Sequence, residues 1–269
     1  MKLAFSNIAW DAAEQPAILS ALADSGVAGI EIAPTKLWPD WDGATEAAAA
    51  RSRSDFAGLG FAVPALQAIL FARPALTVFE NPAGLVAHIA DVAGLAGALG
   101  AGVMVFGSPR NRLRGPLSPA EAMRQAVPVF RDIGAVCEAA GICLGVEANP
   151  PQYGGDFLLT WREAADLVSA VGHPGVGLHL DTACTAMAGD DPVEAATQCA
   201  SLLRHFHISA PGLGPVGQDD TNNAIDHAGI AEALRSGGYD GWISIEMRRT
   251  ETPLESVSRA VTFVRACYG

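Results

Sequence analysis

Eight short apolar runs, each followed by an alanine-rich stretch with helical patterning, organise this chain from end to end. The runs are KLAFSNI from Lys2, AGIEIA from Ala28, AVPALQA from Ala62, GVMVFG from Gly102, ICLGVE from Ile142, VGLHLD from Val176, LRHFHIS from Leu203 and WISIE from Trp242. Strands this apolar are expected to be covered on both faces, as in the parallel sheet of an α/β protein. Eight strand–helix units within 269 residues favour closure into a single (β/α)8 TIM barrel domain spanning residues 1–269 over an open doubly wound sheet. The open sheet gains no support from phosphate-binding motifs: no GxGxxG follows the first run and no GxxxxGKS/T occurs.

Local signals agree with this division. Ser118 and Thr160 stand where helix N-caps are wanted, and Gly26, Gly100 and Gly141 stand where helices should stop. Barrel enzymes place their chemistry at the carboxyl ends of the strands. The Pro-, Gly- and Asn-rich segments PTKLWPDWDG, SPRNRLRGPLSP, ANPPQYGGDF and SAPGLGPVGQDDTNNAIDH follow strands and are predicted to rim that end.

Composition narrows the partners. The formal net charge of −12 opposes a nucleic acid backbone or an anionic membrane surface. The amino terminus MKLAFSNIAW reads as a strand rather than a secretion signal, and no apolar run approaches a membrane span of ~20 residues. Five cysteines, an odd number with no CxxC pair, fit free thiols in a reducing cytoplasm.

Four residues suited to metal chemistry close four separate runs: Glu147 in GVEANP, Asp181 in HLDTA, His207 in HFHIS and Glu246 in ISIEM. Singly, each has an ordinary explanation. An acid at a strand end serves as a helix cap or a solvated loop residue, and Asp181 could cap the turn after it. His207 shares a strand face with His205 by the period-two alternation of strands, and a lone core histidine is usually structural. Matched positions on four consecutive strands require those ordinary reasons to coincide.

In these segments the chain resembles the xylose-isomerase-like barrels of the sugar phosphate isomerase/epimerase superfamily, over nearly its whole length. In that family the fifth strand ends in Glu, the sixth in an LDT-like segment, the seventh in HxH whose second His binds metal, and the eighth in I/V-E. The resemblance implies a divalent cation held by Glu147, Asp181, His207 and Glu246. It also implies that Glu147 and Glu246 act as acid and base on opposite faces of the substrate. A cation there would polarise a carbonyl and stabilise the enediolate left by proton removal. Three oxygen donors and one nitrogen suit Mn2+ or Mg2+, with Co2+, Zn2+ and Fe2+ as further options. The implied activity is that of an isomerase or epimerase on a small sugar or sugar derivative, and a homodimer is compatible with the resemblance.

Other residues near the mouth are candidates for substrate binding. Glu31 ends the second strand and could accept hydroxyl hydrogen bonds or pair with Lys36 or an arginine. Asn7 after the first strand and Gln67 after the third are similar. In GSPRNRLRG, Arg110 lies closest to a strand end and is the candidate for an anionic group, whereas Arg112 and Arg114 read as solvated or partner-facing. Trp10, Trp38 and Trp41 could wall a sugar face or pack in the core.

The chain departs from the family in two places. Many ketose epimerases carry a His shortly after the sixth-strand Asp, where DTACTAM here offers Cys184, either a packing residue or a reactive thiol. They also carry an Arg in the loop after the metal-binding His, but from Ile208 through Glu246 the only arginine is Arg235, in a helical stretch. Asp226 and His227 could replace these groups, although Asp226 could equally cap a helix. Both absences count against a usual ketohexose substrate.

Three alternatives follow. The same chemistry serves dehydratases acting on inosose-like polyhydroxylated substrates, in which the enolate expels a hydroxyl. Endonuclease IV shares the barrel but needs a three-zinc cluster with further histidines, where Gln67 and Gly107 stand here. A non-catalytic sugar-binding subunit would be expected to lose one of the two glutamates.

Overall fold

The computed structural model describes residues 1–218 and 224–269; Asp219 to Asn223, part of the long loop expected after the seventh strand, lie outside the described residues. All eight expected strands form: β1 Lys2–Ser6, β2 Gly29–Glu31, β3 Ala65–Leu66, β4 Val103–Phe106, β5 Cys143–Glu147, β6 Val176–Asp181, β7 Leu203–Ser209 and β8 Trp242–Glu246. They pair in the order β2-β1-β8-β7-β6-β5-β4-β3, and every pairing is parallel. The remaining gap, between β2 and β3, is bridged at Gly29–Ala62 and Ile32–Leu66. This is a single (β/α)8 TIM barrel, nearly closed by its ladders.

The weak seam has a local cause. Pro64 precedes the two-residue β3 and has no N–H to give a ladder, so the run AVPALQA cannot pair along its length.

Helices cover the outside. Ser118 caps α5 (Pro119–Ala139; helices are numbered in chain order) in a capping box with Glu121, and the Thr160 side chain accepts the Glu163 N–H at the start of α6 (Trp161–Val171). Gly100 ends α4 (Pro82–Leu99) at φ 85°, a conformation that glycine adopts without a Cβ penalty. By length and composition α4 could cross a membrane. Here it packs between α3 (Glu46–Gly58) and α5, with Leu85, Ile89, Val92, Ala96 and Leu99 buried. The core lies between helices and strands, as where Phe106 of β4 meets Phe130 of α5 edge-on, centroids 5.3 Å apart.

Register aligns the carboxyl ends. Glu147 pairs with His179, Asp181 with His207, and Ser209 with Glu246. Side chains at paired positions of parallel strands share a face, and positions two apart on one strand share it again. Glu147, His179, Asp181, His205, His207, Ser209 and Glu246 therefore all project from one face of the sheet, into the barrel, in successive layers toward its mouth.

Candidate active site

A cavity of about 340 Å³ opens at the carboxyl end of the strands, lined by Gln67, Ser108, Glu147, His207 and Glu246 with an apolar side of Ile8, Ile69, Phe71, Val105 and Leu213. Its size suits a small molecule. Asp181, His207 and Glu246 offer ligand atoms within 4.8 Å of one another, and Glu147 offers one within the same range of His207 and of Asp181. The structure thus draws together the four residues that close strands β5 to β8.

Each is held by its own strand end. Glu147 leaves β5 into the space above Gly107, where a Cβ would collide with Glu147 Oε2. Asp181 is both the N-cap of α7 (Thr182–Met187) and a member of the cluster: its Oδ1 accepts from the Cys184 N–H at 2.6 Å and the Ser209 hydroxyl at 2.7 Å. Glu246 Oε1 accepts the Gln67 amide at 2.6 Å. His207 donates through Nε2 to Glu31, 2.9 Å away, which leaves Nδ1 facing Glu246 Oε2 at 3.3 Å but out of line for a hydrogen bond.

The electrostatics are those of crowded carboxylates. Burial, then Asp181 and Glu246, push Glu147 up to about 8. Burial and then Glu246 likewise raise Asp181. Burial alone would lower His207, but the carboxylates of Glu31 and Glu246 hold it well above the ordinary imidazole value. Burial would raise Glu31, but His207 and His205 hold it well below the usual carboxylate range.

Two buried atoms in the cluster, Asp181 Oδ2 and His207 Nδ1, have no hydrogen-bond partner among the described residues. Unpaired polar atoms at this depth are costly, and a divalent cation between the four side chains would satisfy both while relieving the repulsion that raises Glu147. The residues fit such an ion. Glu31, fixing His207 through Nε2, is the outer partner that a histidine ligand ordinarily has.

Other candidates fall elsewhere. Glu31 is fully buried and taken up by His205 and His207, so it does not meet substrate hydroxyls; Lys36 pairs with Asp11 instead. Asn7 is buried, accepts the Ala33 N–H at 2.8 Å and does not line the cavity. Arg110 is exposed and does not line the cavity. His227, the first residue of α9 (His227–Ser236), meets Tyr268 O–H through Nδ1 at 3.0 Å and lies edge-on to Phe263, outside the cavity; Asp226 caps α9. Trp10 is core, and the half-buried Trp41 donates to Phe71 O. Of the expected substrate residues, Gln67 alone lines the cavity.

Three participants escaped sequence reasoning. Arg112 is the buried arginine, not Arg110: its guanidinium donates to Phe106 O, Glu147 O, Asn149 Oδ1 and Phe157 O, and burial lowers it to about 10. His179, two residues before Asp181 and so on its face, sits beneath His207 with ring centroids 4.1 Å apart. Phe71, 63% exposed, flanks the mouth.

The fold recurs in solved structures. D-psicose 3-epimerase from Clostridium cellulolyticum H10, with D-tagatose, superposes with a TM-score of 0.81 at 18% identity, over 100% of this chain and 99% of that one. The IOLI protein with a zinc atom gives 0.75 at 19%, covering 99% and 96%. The probable 3-DHS dehydratase AsbF from Bacillus anthracis gives 0.76 at 15%, covering 98% and 99%. No curated protein sequence matches the chain. Residues 19–267 match the xylose isomerase-like TIM barrel family, and the chain belongs to it.

Proposed function

We propose that this protein is a divalent-metal-dependent isomerase or epimerase of a small sugar or sugar derivative, working by proton transfer at the carbon beside a carbonyl. One observation carries the reading: Glu147 and Glu246, from different strands, line a single cavity together with His207, with Asp181 in reach of all three. That is the arrangement a two-base proton transfer requires.

Glu147, Asp181, His207 and Glu246 would hold the cation, a donor set that suits Mn2+ or Mg2+ and admits Co2+, Zn2+ or Fe2+. Bound there, it would supply the electrophile that polarises the substrate carbonyl. One glutamate takes the proton from carbon and the other returns one to the opposite face. Gln67 fixes the rotamer of Glu246 through Oε1, and Gly107 leaves room for the Glu147 carboxylate. Ile8, Phe71 and Leu213 shield the apolar face of the substrate and exclude water. Proteins of this fold include, by their titles, epimerases and a dehydratase, which agrees with carbonyl-adjacent proton chemistry.

Solvent deuterium uptake tests the proposal: ketoses and cyclitols are incubated with the Mn2+-loaded protein in D2O. Label entering a substrate carbon without loss of water supports epimerisation or isomerisation, and its loss in Glu246→Gln ties it to this site. Water loss with a conjugated, ultraviolet-absorbing product assigns a lyase instead. Binding without exchange across the panel overturns catalysis in favour of a sugar-binding subunit.

A further inference from the structure

We propose that Cys184 is a further ligand of the same cation, its sulfur joining Glu147 and Asp181, and that the centre therefore prefers a thiophilic divalent ion of the Zn2+ or Co2+ class over Mg2+. The inference rests on the metal-dependent reading above and adds to it a donor and a selectivity.

The thiol is built into the site by the turn that ends β6. Cys184 is the third residue of α7, and its N–H is held by Asp181 Oδ1 at 2.6 Å, so the helix start folds the side chain back over the strand end. Cys184 Sγ lies 3.7 Å from Glu147 Oε1. Glu147, Asp181 and Cys184 each offer a ligand atom within 4.8 Å of the others. A second observation points to a ligand independently of the cysteine: Asp181 is 3% exposed, and its Oδ2 has no partner among the described residues. The sulfur also has outer support, because Asn149 Nδ2 donates toward Sγ at 3.8 Å while Asn149 Oδ1 accepts from Arg112. Such a fixed amide orients a donor sulfur.

The chemistry needs no oxidant. The S–H bond breaks heterolytically as the sulfur–metal bond forms, and the proton leaves to buffer. Thiolate donors favour Zn2+ and Co2+ over Mg2+, which takes oxygen ligands and gives up water reluctantly. The other four cysteines cannot stand in: Cys137 lies on α5, Cys143 at the amino end of β5, Cys199 just after α8 (Pro192–Gln198), and Cys267 near the end of α10 (Pro253–Tyr268).

Metal-stripped protein is titrated anaerobically with Co2+, with bound ion counted by equilibrium dialysis and absorbance recorded from the near ultraviolet to the visible. The expected result is one Co2+ per chain with a sulfur-to-cobalt charge-transfer band. Cys184→Ser should still bind Co2+ but lose that band, and its Zn2+ affinity should fall about tenfold or more while its Mg2+ affinity holds. Cys184→Ala, checked for folding by circular dichroism, is the second variant, and the wild-type spectrum needs no variant. Co2+ bound without the band in wild type overturns the role of Cys184 and leaves the carboxylate–imidazole centre standing. A band that survives in both variants also overturns it. Failure of the folded wild type to bind Co2+, Zn2+ or Mn2+ overturns both readings together.

Discussion

Glu31 and His207 meet across the barrel interior, 2.9 Å from Oε1 to Nε2, with both side chains sealed from solvent. The contact fixes the imidazole so that Nε2 donates inward and Nδ1 faces the mouth. Glu31→Gln keeps the shape but weakens this control, and divalent-metal affinity should fall about 10–100-fold, the usual effect of altering an outer partner of a histidine ligand. Isothermal titration with Zn2+ or Mn2+ measures it; unchanged affinity would mean that His207 is oriented by something else.

Stability of the metal-free protein should fall as pH rises from about 6.5 toward 8; below 6.5 the histidines His179, His88 and His227, all held below the ordinary imidazole value by burial, act in the opposite sense. Glu147 is pushed from an ordinary 4.5 up to about 8, so in that window the folded chain keeps a proton that the unfolded chain has lost. Each such proton lowers stability by at most about 1.4 kcal/mol per pH unit. His207, held well above its ordinary 6.5, adds in the same sense: its contribution is full below 6.5 and is lost as pH rises through the folded value. Glu31, held well below 4.5, contributes above that value and is lost only in acid. Saturating Zn2+ should reverse the upper trend by displacing the protons. Thermal melts across pH, with and without metal, check this; a metal-free Tm that climbs between pH 6.5 and 8 would refute it.

Arg112 should be a stability residue of unusual weight for a loop position. Its guanidinium joins the ends of β4 and β5 to the loop beyond them through Phe106 O, Glu147 O, Asn149 Oδ1 and Phe157 O. Arg112→Ala strands these buried acceptors, and a loss of about 3–5 kcal/mol is expected in urea unfolding. Arg110→Ala, at an exposed position, should change stability by no more than about 0.5 kcal/mol.

The contrast between these two arginines marks where sequence reading stops. The metal-type residues were legible because each closes an apolar run, and parallel strands in register bring such closures to one end. Period two also places His179 on the face of Asp181, so that signal was present though unused. Glu31 closes an apolar run as well, but its partner is chosen by contact across the barrel, which no local pattern encodes. Arg112 lies in a short turn of helix, Pro109–Arg112, that folds back over β4 and β5. Spacing in GSPRNRLRG could not separate it from its neighbours. His227 read as a mouth residue because it follows a long loop, whereas capping by Asp226 starts a helix there and turns the ring toward Tyr268.

Gly107→Ala tests whether the position of Glu147, rather than its mere presence, makes the site. Gly107 does not occupy the left-handed region of backbone space, so alanine introduces no left-handed strain; the nearest atoms its methyl group meets all belong to the Glu147 side chain, the carboxylate Oε2 first. The substitution should displace that carboxylate from Asp181 and His207, with metal affinity falling about 10–100-fold and deuterium exchange into substrate falling with it. The fold should survive, with Tm moving by no more than about 2–4 °C, on the order of 1 kcal/mol for a chain of this size, because release of a repelled, buried carboxylate offsets the added methyl. Glu147→Gln supplies the comparison, since it keeps the side chain in place and removes its charge. Equal loss of metal binding in both variants, with melting preserved, is expected if coordination needs the carboxylate both charged and seated above Gly107. Wild-type affinity in Gly107→Ala would remove Glu147 from the proposed ligand set and leave Asp181, His207 and Glu246 to hold the ion.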